Sequence, residues 1–257
     1  MLENGVPPER LLERLQALGN TIADSGQGLA LIGLGSVGIE VQRLDAWSDL
    51  DFFVIARPGS RDRFLLDHDW LQAACPVAWH FRNTEDGAKL LFADGIFCEF
   101  AVFEPAELEH IPFAEGRLVW KHPEASGDLA RPRRPVPAPV IHGREWLIGE
   151  ALTNLLVGMA RDRRGETLSA LRFIQGYAVD RLLELAEAID EPQATMRDAF
   201  AVERRFEQRQ PGIVPYLPGW MQGYRRNRES ALNILAWLEA RFPVDPAPAR
   251  AIRELCG

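Results

Sequence analysis

The spacing between a glycine-rich loop and the strand that follows it constrains the fold of this chain more than any other feature of its sequence. Gly33, Gly35 and Gly38 follow a short apolar run and form G-x-G-x-x-G, the pattern of a dinucleotide-binding loop. Such a loop needs a helix of several turns before the next strand, because the crossover has to pack across the sheet. Only residues 39–48 separate this loop from the next apolar run, at residues 50–56. The spacing therefore argues against a dinucleotide-binding fold.

Two carboxylates stand at the beginning of that second run, in the order Asp49, Leu50, Asp51, Phe52. A dinucleotide-binding fold would place its ribose-binding acid after the run and not before it. Side chains alternate between the faces of a strand, so Asp49 and Asp51 share one face. Neighbouring carboxylates repel each other unless a cation lies between them, and Mg²⁺ prefers one or two carboxylates completed by water and substrate phosphates. The pair therefore predicts a Mg²⁺ site.

A third acid, Glu99, lies within the apolar run of residues 96–103. This run is predicted to form a hairpin with residues 88–93 around a favoured two-residue turn. A carboxylate among apolar residues is costly unless it has a partner, which could be an arginine or a bound cation. Three carboxylates at one point can hold two divalent ions, which support an in-line phosphoryl displacement. We therefore expect Glu99 to join the other two acids.

The glycine loop also fits phosphate chemistry. Backbone N–H groups around Gly35 and the hydroxyl of Ser36 can cradle the phosphates of a nucleotide. Each feature alone has an ordinary explanation, because an exposed strand end, a turn or a paired glutamate would produce it. Their order along the chain, each beside a strand, favours phosphate chemistry.

A proline-containing segment divides the chain into two regions. Residues 1–125 alternate helical and strand-like runs, which predicts an α/β (α+β) domain with a small mixed sheet. Five prolines between positions 123 and 139 exclude a long helix or a central strand, so residues 126–142 are predicted to be a connection. Residues 143–257 carry apolar residues at helical spacing and predict an α-helical bundle. The predicted helical stretches are residues 145–161, 166–189 and 228–241.

Composition excludes some function classes. The net charge of −8 argues against a protein that binds duplex nucleic acid, which would normally present a basic face. Residues 141–257 contain 16 arginines and 16 acidic residues, so the first 140 residues carry the whole negative charge. That charge suits metal ions or a cationic small molecule, and ordinary solubility charge explains it equally well. We expect no membrane span and no signal peptide, and the three scattered cysteines favour a reduced, cytoplasmic protein.

The loop and the acids together resemble a known signature. Gly35 and Ser36, Asp49-x-Asp51 and Glu99 on a later strand are similar to the GS…DxD…E signature of the DNA polymerase β-like nucleotidyltransferases. More narrowly, the chain resembles the lincosamide and aminoglycoside nucleotidyltransferases, which join a catalytic domain to a helical substrate-binding domain. The resemblance implies that Asp49 and Asp51 bind two Mg²⁺ ions. It also implies that Glu99 serves as the third metal ligand or as the base, and that Gly35 and Ser36 hold the triphosphate of ATP.

Two further segments bear on the resemblance. Many family members have a small residue, a basic residue and glycine soon after the serine, whereas this chain has Val37, Gly38, Ile39 and Glu40. In the helical region, residues 164–166 are similar to an R-G-E corner of these enzymes, which implies that Arg163 and Arg164 contact the triphosphate. The alternative is a solvated helix end whose cations lie near the negative end of the helix dipole.

The resemblance implies Mg²⁺-dependent transfer of a nucleoside monophosphate, AMP from ATP, to a hydroxyl group of a small molecule, with release of pyrophosphate. The expected acceptor is an antibiotic such as a lincosamide or an aminoglycoside. The alternatives are a nucleotidyltransferase that modifies a protein, as in toxin–antitoxin pairs, and a nucleotide-binding module without activity. We expect a monomer or homodimer whose partners include neither nucleic acid nor a membrane.

Overall fold

The computed structural model describes residues 5–134, 136, 140–189 and 201–257. The chain divides into two units, Met1–Pro137 and Ala138–Gly257. Part of the predicted connection, at positions 135 and 137–139, lies outside the described residues. Among the described helices, none has the length and apolar character needed to cross a membrane.

A six-stranded mixed sheet forms the centre of the first unit, as the sequence predicts. Its strands are β1 (Gly28–Gly33), β2 (Leu50–Ala56), β3 (Val77–Arg82), β4 (Gly87–Phe92), β5 (Phe97–Phe103) and β6 (Arg117–Lys121). Their spatial order is β3-β4-β5-β2-β1-β6, with β2 and β5 parallel and the other neighbours antiparallel. Because β1 and β2 are antiparallel, the glycine loop does not begin a parallel crossover, and the argument against a dinucleotide-binding fold is confirmed.

One face of the sheet is covered by helices. They are α1 (Pro8–Asp24), α2 (Arg61–Leu65) and α3 (Asp69–Ala74). Helix α1 begins with a proline, whose fixed φ suits the first helical turn, and places Leu11, Leu15, Leu18 and Ile22 on one buried face. These four side chains pack in one core with the apolar face of β2, β4 and β5. Burial of each such side chain contributes about 1.5–3 kcal/mol, so the helix holds that face of the sheet firmly.

The opposite face of the sheet is covered over only part of its area. A smaller core packs Ile32, Ile55 and Phe103 against Leu108 and Phe113. The beginnings of β2 and β5 extend past this core, and their side chains on this face are polar or partly exposed. This uncovered end of the sheet carries the predicted site.

Strands β3 and β6 are absent from the sequence prediction. Strand β3 lies at one edge of the sheet, and four of its six residues are exposed. Strand β6 lies at the other edge, and all five of its residues are half-buried. In β3, Val77, Trp79 and Phe81 recur with period 2, a pattern that the sequence prediction overlooked, whereas β6 has three consecutive apolar residues and no such pattern. Both strands leave part of their surface to water, as edge strands can.

The second unit is helical, as predicted. Its helices are α4 (Arg144–Arg163), α5 (Thr167–Leu171), α6 (Val179–Ile189), α7 (Phe206–Arg209), α8 (Leu217–Trp220), α9 (Asn227–Arg241) and α10 (Pro246–Cys256). A π-helical segment, Arg172–Ala178, joins α5 to α6. The sequence analysis missed α10, which contains two prolines near its beginning and is capped by the Asp245 carboxylate accepting the Ala247 N–H at 2.8 Å.

An ion-pair cluster at the β4–β5 turn offers a test of the first unit. Asp94 accepts hydrogen bonds from Arg14 at 2.8 Å and from Arg10 at 3.1 Å, which connects the turn to α1. Partial burial by itself raises the pKa of Asp94, but the hydrogen bond and charge of Arg14 outweigh it, so the folded-state pKa lies below its ordinary value. The ion pair therefore stabilises the fold above the unfolded pKa of about 4 and ceases to do so as the pH falls through the lower folded pKa.

We accordingly expect Asp94→Asn to reduce the free energy of unfolding by about 1 kcal/mol at pH 7. The difference from the unchanged protein should shrink as the pH falls below about 4, because both chains then carry a neutral group at this position. Thermal unfolding between pH 3 and pH 7 measures it. A difference that is constant over this range would contradict the assignment of the ion pair.

Candidate active site

The glycine–serine loop lies directly beside the first residues of β2. The Leu34 N–H donates a hydrogen bond to the backbone oxygen of Asp51 at 2.8 Å, which extends the β1–β2 ladder to the loop. Residues Gly35–Val37 form one 3₁₀ turn, and Gly35 has a φ of +53°, which favours glycine. A Cβ atom built on Gly35 would lie 3.8 Å from the Asp51 Oδ2 atom. The loop and the Asp51 carboxylate are therefore immediate neighbours.

Two contacts fix the far end of this loop. The Arg117 side chain on β6 donates to the Val37 carbonyl oxygen from Nε at 3.2 Å and from Nη2 at 3.0 Å. Gly33 packs closely beneath the same residue, because a Cβ at position 33 would lie only 2.4 Å from that oxygen. The sequence analysis missed Arg117, since nothing in its local sequence connects it with a loop 80 residues earlier.

If the loop holds the triphosphate, as the sequence predicts, loss of the arginine anchor should weaken nucleotide binding. With Arg117→Met, the Val37 carbonyl loses two charge-assisted hydrogen bonds, which are worth about 1.5–3 kcal/mol each in folded proteins. We expect the KM for ATP to rise about tenfold through a looser loop, with a much smaller change in kcat. Steady-state kinetics at varied ATP measures this effect, and Arg117→Lys serves as the control that keeps the charge. An unchanged KM would contradict the anchoring role.

The strand register brings two of the three predicted acids together. Asp51 on β2 is the direct partner of Glu99 on β5, in a parallel pair whose strands lie about 4.8 Å apart. Asp49 is exposed and lies one residue before β2. Leu50 and Phe52 are fully buried on the opposite face, as expected, and hold this end of the strand on the core.

Glu99 lies among apolar residues in the sequence, but its side chain is not buried with them. Its side chain is 45% exposed, because it points to the uncovered face while its neighbours in the strand point to the core. The Glu99 Oε2 atom lies 3.1 Å from the Lys89 Nζ atom, and Oε1 accepts a hydrogen bond from the Asn83 amide at 3.1 Å. A carboxylate has about four acceptor positions, so each oxygen keeps capacity for another ligand or donor.

The carboxylates at this end of the sheet affect the pKa of a thiol in the core beneath them. Burial raises the pKa of the Cys98 thiol well above its ordinary value, and the charges of Asp49 and Asp51 raise it further. Cys98 is the register partner of Leu50, and Leu50 stands between Asp49 and Asp51 in the sequence. The thiol is therefore neutral, and it contributes no thiolate ligand to the site.

The donor set fits a divalent cation that is completed by substrate. Within the described parts of the chain, no group of three His, Cys, Asp or Glu side chains is already arranged to hold a metal ion. Mg²⁺ usually takes one or two protein carboxylates and obtains its other oxygen ligands from water and substrate phosphates. Asp49 and Asp51, the second of which lies next to the Gly35–Ser36 loop, are the carboxylates that would hold such an ion.

Arg163 and Arg164 lie in the second unit, at the end of α4. The Arg163 Nε–H donates to the Leu255 carbonyl at 2.7 Å, and Arg164 forms an ion pair with Glu166 at 2.9 Å. The hydrogen bond from Arg164 lowers the pKa of the Glu166 carboxyl below its ordinary value. These contacts are those of a helix end, and the role of both arginines in nucleotide binding stays a prediction.

Comparison with known proteins gives matches among solved structures alone. No protein-family model and no curated protein sequence matches the chain. An aminoglycoside 6-adenyltransferase from Bacillus subtilis matches 95% of this chain and 90% of its own, with 13% identity and a TM-score of 0.30. A nucleotidyltransferase-like protein from Exiguobacterium sibiricum matches 94% of this chain and 74% of its own, with 12% identity and a TM-score of 0.32. Both have names of the class that the signature resembles, but TM-scores this low do not establish a shared fold.

Proposed function

We propose that this protein is a nucleotidyltransferase that moves AMP from Mg·ATP to a hydroxyl group of a small molecule and releases pyrophosphate. The register pairing of Asp51 with Glu99, beside the Gly35–Ser36 loop, is the observation that carries the proposal. The two acids lie on adjacent strands, and the loop follows the strand on the other side of Asp51. Phosphoryl chemistry depends mainly on such positioning and on charge stabilisation.

The loop and the acids have separate roles in this proposal. Backbone N–H groups of the loop and the Ser36 hydroxyl hold the β- and γ-phosphates. The carboxylates of Asp49 and Asp51 would hold Mg²⁺, which would supply positive charge to stabilise the transferring phosphoryl group. The buried face of β2 keeps the Asp51 carboxylate in place without reorganisation during the reaction, and Asp49 directly precedes this strand.

Transfer forms one bond and breaks another. The acceptor oxygen forms a bond to the α-phosphorus, the bond from that phosphorus to the α–β bridging oxygen breaks, and pyrophosphate leaves. Glu99 takes the hydroxyl proton on one of its free acceptor positions and later passes it to solvent. Lys89 and Asn83 hold the carboxylate toward the uncovered face while it does so.

The acceptor we propose is a hydroxylated, positively charged antibiotic of the lincosamide or aminoglycoside type. The net charge of −8, all of it within the first 140 residues, supports a cationic acceptor.

A matrix of substrates tests the proposal. The purified full chain is incubated with Mg²⁺, each of the four ribonucleoside triphosphates and a panel of lincosamides and aminoglycosides, and pyrophosphate release is followed. We expect release that requires both ATP and one class of acceptor. Absence of release with every pair would overturn the proposal, and a nucleotide label found on a polypeptide would assign the site to protein modification instead.

A further inference from the structure

The uncovered face of the sheet carries two rows of side chains that connect the acids to an edge strand. Residues in register on adjacent strands point to the same face. The first row consists of Asp51, Glu99, Lys89 and Phe81, from β2 to β3. The second row consists of Phe97, Leu91 and Trp79, and Asp49 extends it on the β2 side because Leu50 is the partner of Cys98. Both rows therefore begin with an acid and end with an aromatic residue.

The two aromatic side chains form a small exposed platform. The rings of Trp79 and Phe81 are stacked, with centroids 5.9 Å apart and an angle of 26° between their planes. Trp79 is 48% exposed and Phe81 is 52% exposed. An aromatic surface next to a few converging polar groups is typical of a ligand site, and a ring face also attracts a cation.

The geometry of the proposed reaction indicates which of the two substrates, the nucleotide or the acceptor, lies next to this platform. In an in-line displacement the attacking oxygen and the leaving group lie on opposite sides of the phosphorus. The Gly35–Ser36 loop, which holds the leaving pyrophosphate, follows β1 on one side of Asp51, whereas Glu99 and the platform lie on the other side. The attacking hydroxyl therefore approaches from the side of β5, β4 and β3.

We propose that Trp79 and Phe81 bind the acceptor, a hydroxylated and positively charged ring compound whose reacting hydroxyl lies at Glu99. This inference rests on the proposed function. Strands β5 and β3 are two intervals apart, about 10 Å, so the acceptor has to be longer than a single sugar ring. The positive charge of the acceptor favours the aromatic ring faces.

Binding of glucosamine and its β-1,4-linked dimer and trimer tests the platform without catalysis. The signal of the Trp79 indole N–H in the ¹⁵N-labelled full chain is assigned by its loss in Trp79→Phe. We expect this signal to shift with the dimer and the trimer, weakly with the monomer, and not with Mg²⁺ and α,β-methylene-ATP. A shift with the nucleotide analogue and not with the amino sugars would assign the platform to the base and overturn the proposal, as would no shift with any probe.

Variants separate binding at the platform from folding and from the reaction. We expect the double variant W79A/F81A to bind the trimer at least about tenfold more weakly than the unchanged protein does. Trp79→Phe should retain most of the affinity. Leu66→Ala, which truncates an exposed apolar side chain directly after α2, is the control and should retain all of it. Unchanged affinity in the double variant overturns the inference. The oligomeric state of both proteins is measured as well. If the unchanged protein is a homodimer and the double variant is a monomer, the inference is also overturned, because the platform would then be a contact between two copies of the chain.

The two proposals fail in distinguishable ways. Pyrophosphate release by the unchanged protein reports on the proposed function, whatever the double variant does. If release occurs and the double variant keeps the KM for the acceptor found in the substrate matrix, the platform assignment is wrong and the proposed function stands. If the trimer binds at Trp79 and no acceptor supports release, the proposed function is wrong.

Discussion

Asp51→Asn abolishes nucleotide transfer in this account, with a fall in kcat of about 10³-fold or more, equivalent to about 4 kcal/mol of lost stabilisation. The substitution removes the charge that holds Mg²⁺ while keeping the size and shape of the side chain. Asp51 is also the residue at which the loop, β2 and Glu99 meet. Pyrophosphate release under saturating ATP and acceptor measures the effect.

The comparison needs evidence that the fold is intact. Asp51 is half-buried at the beginning of a strand. We therefore expect the free energy of unfolding of the asparagine variant to differ from that of the unchanged protein by no more than about 1 kcal/mol. Asp24→Asn, which removes an exposed carboxylate at the end of α1, is the matched control and should retain full activity. Activity in Asp51→Asn within tenfold of that control would contradict a catalytic role for this carboxylate.

Gly33→Ala has the second-largest expected effect, and it acts through the loop. The added methyl group would lie 2.4 Å from the Val37 carbonyl oxygen and 3.1 Å from its carbonyl carbon, and both atoms belong to the backbone. Relief of the clash requires the loop to move, at a cost of about 1–3 kcal/mol. We expect the free energy of unfolding to fall by this amount and pyrophosphate release to fall further than the loss of folded protein explains.

Urea denaturation and steady-state kinetics together measure both parts of this prediction. Gly127→Ala is the control within the same unit, because a Cβ there meets no atom within 4 Å. If Gly33→Ala behaves like that control in stability and activity, the close packing beneath the loop does not position it.

The local pattern around the loop and β2 was predictable from the sequence. The short spacing excludes a crossover helix, and alternation along β2 separates the acids from Leu50 and Phe52. Both conclusions depend on residues within about 20 positions of each other. The structure confirms that no crossover helix joins β1 to β2, and it confirms the buried face of β2 and the β4–β5 hairpin.

The partners of Glu99 could not be predicted in the same way. Lys89 is ten residues away, but its position opposite Glu99 depends on the hairpin register, and the Asn83 contact depends on the turn before β4. Arg117 reaches the loop from β6, a strand that has no apolar alternation. Such contacts arise from long-range pairing, which a pattern in one sequence does not specify.

Transfer of a radioactive label from ATP shows which phosphate group reaches the acceptor. The full chain is incubated with Mg²⁺, an acceptor from the substrate matrix, and ATP labelled in either the α- or the γ-phosphate. We expect the α-label to become attached to the acceptor and the γ-label to leave with pyrophosphate. A γ-label on the acceptor, or the α-label recovered only as unreacted ATP or free AMP, would contradict nucleotidyl transfer at this site.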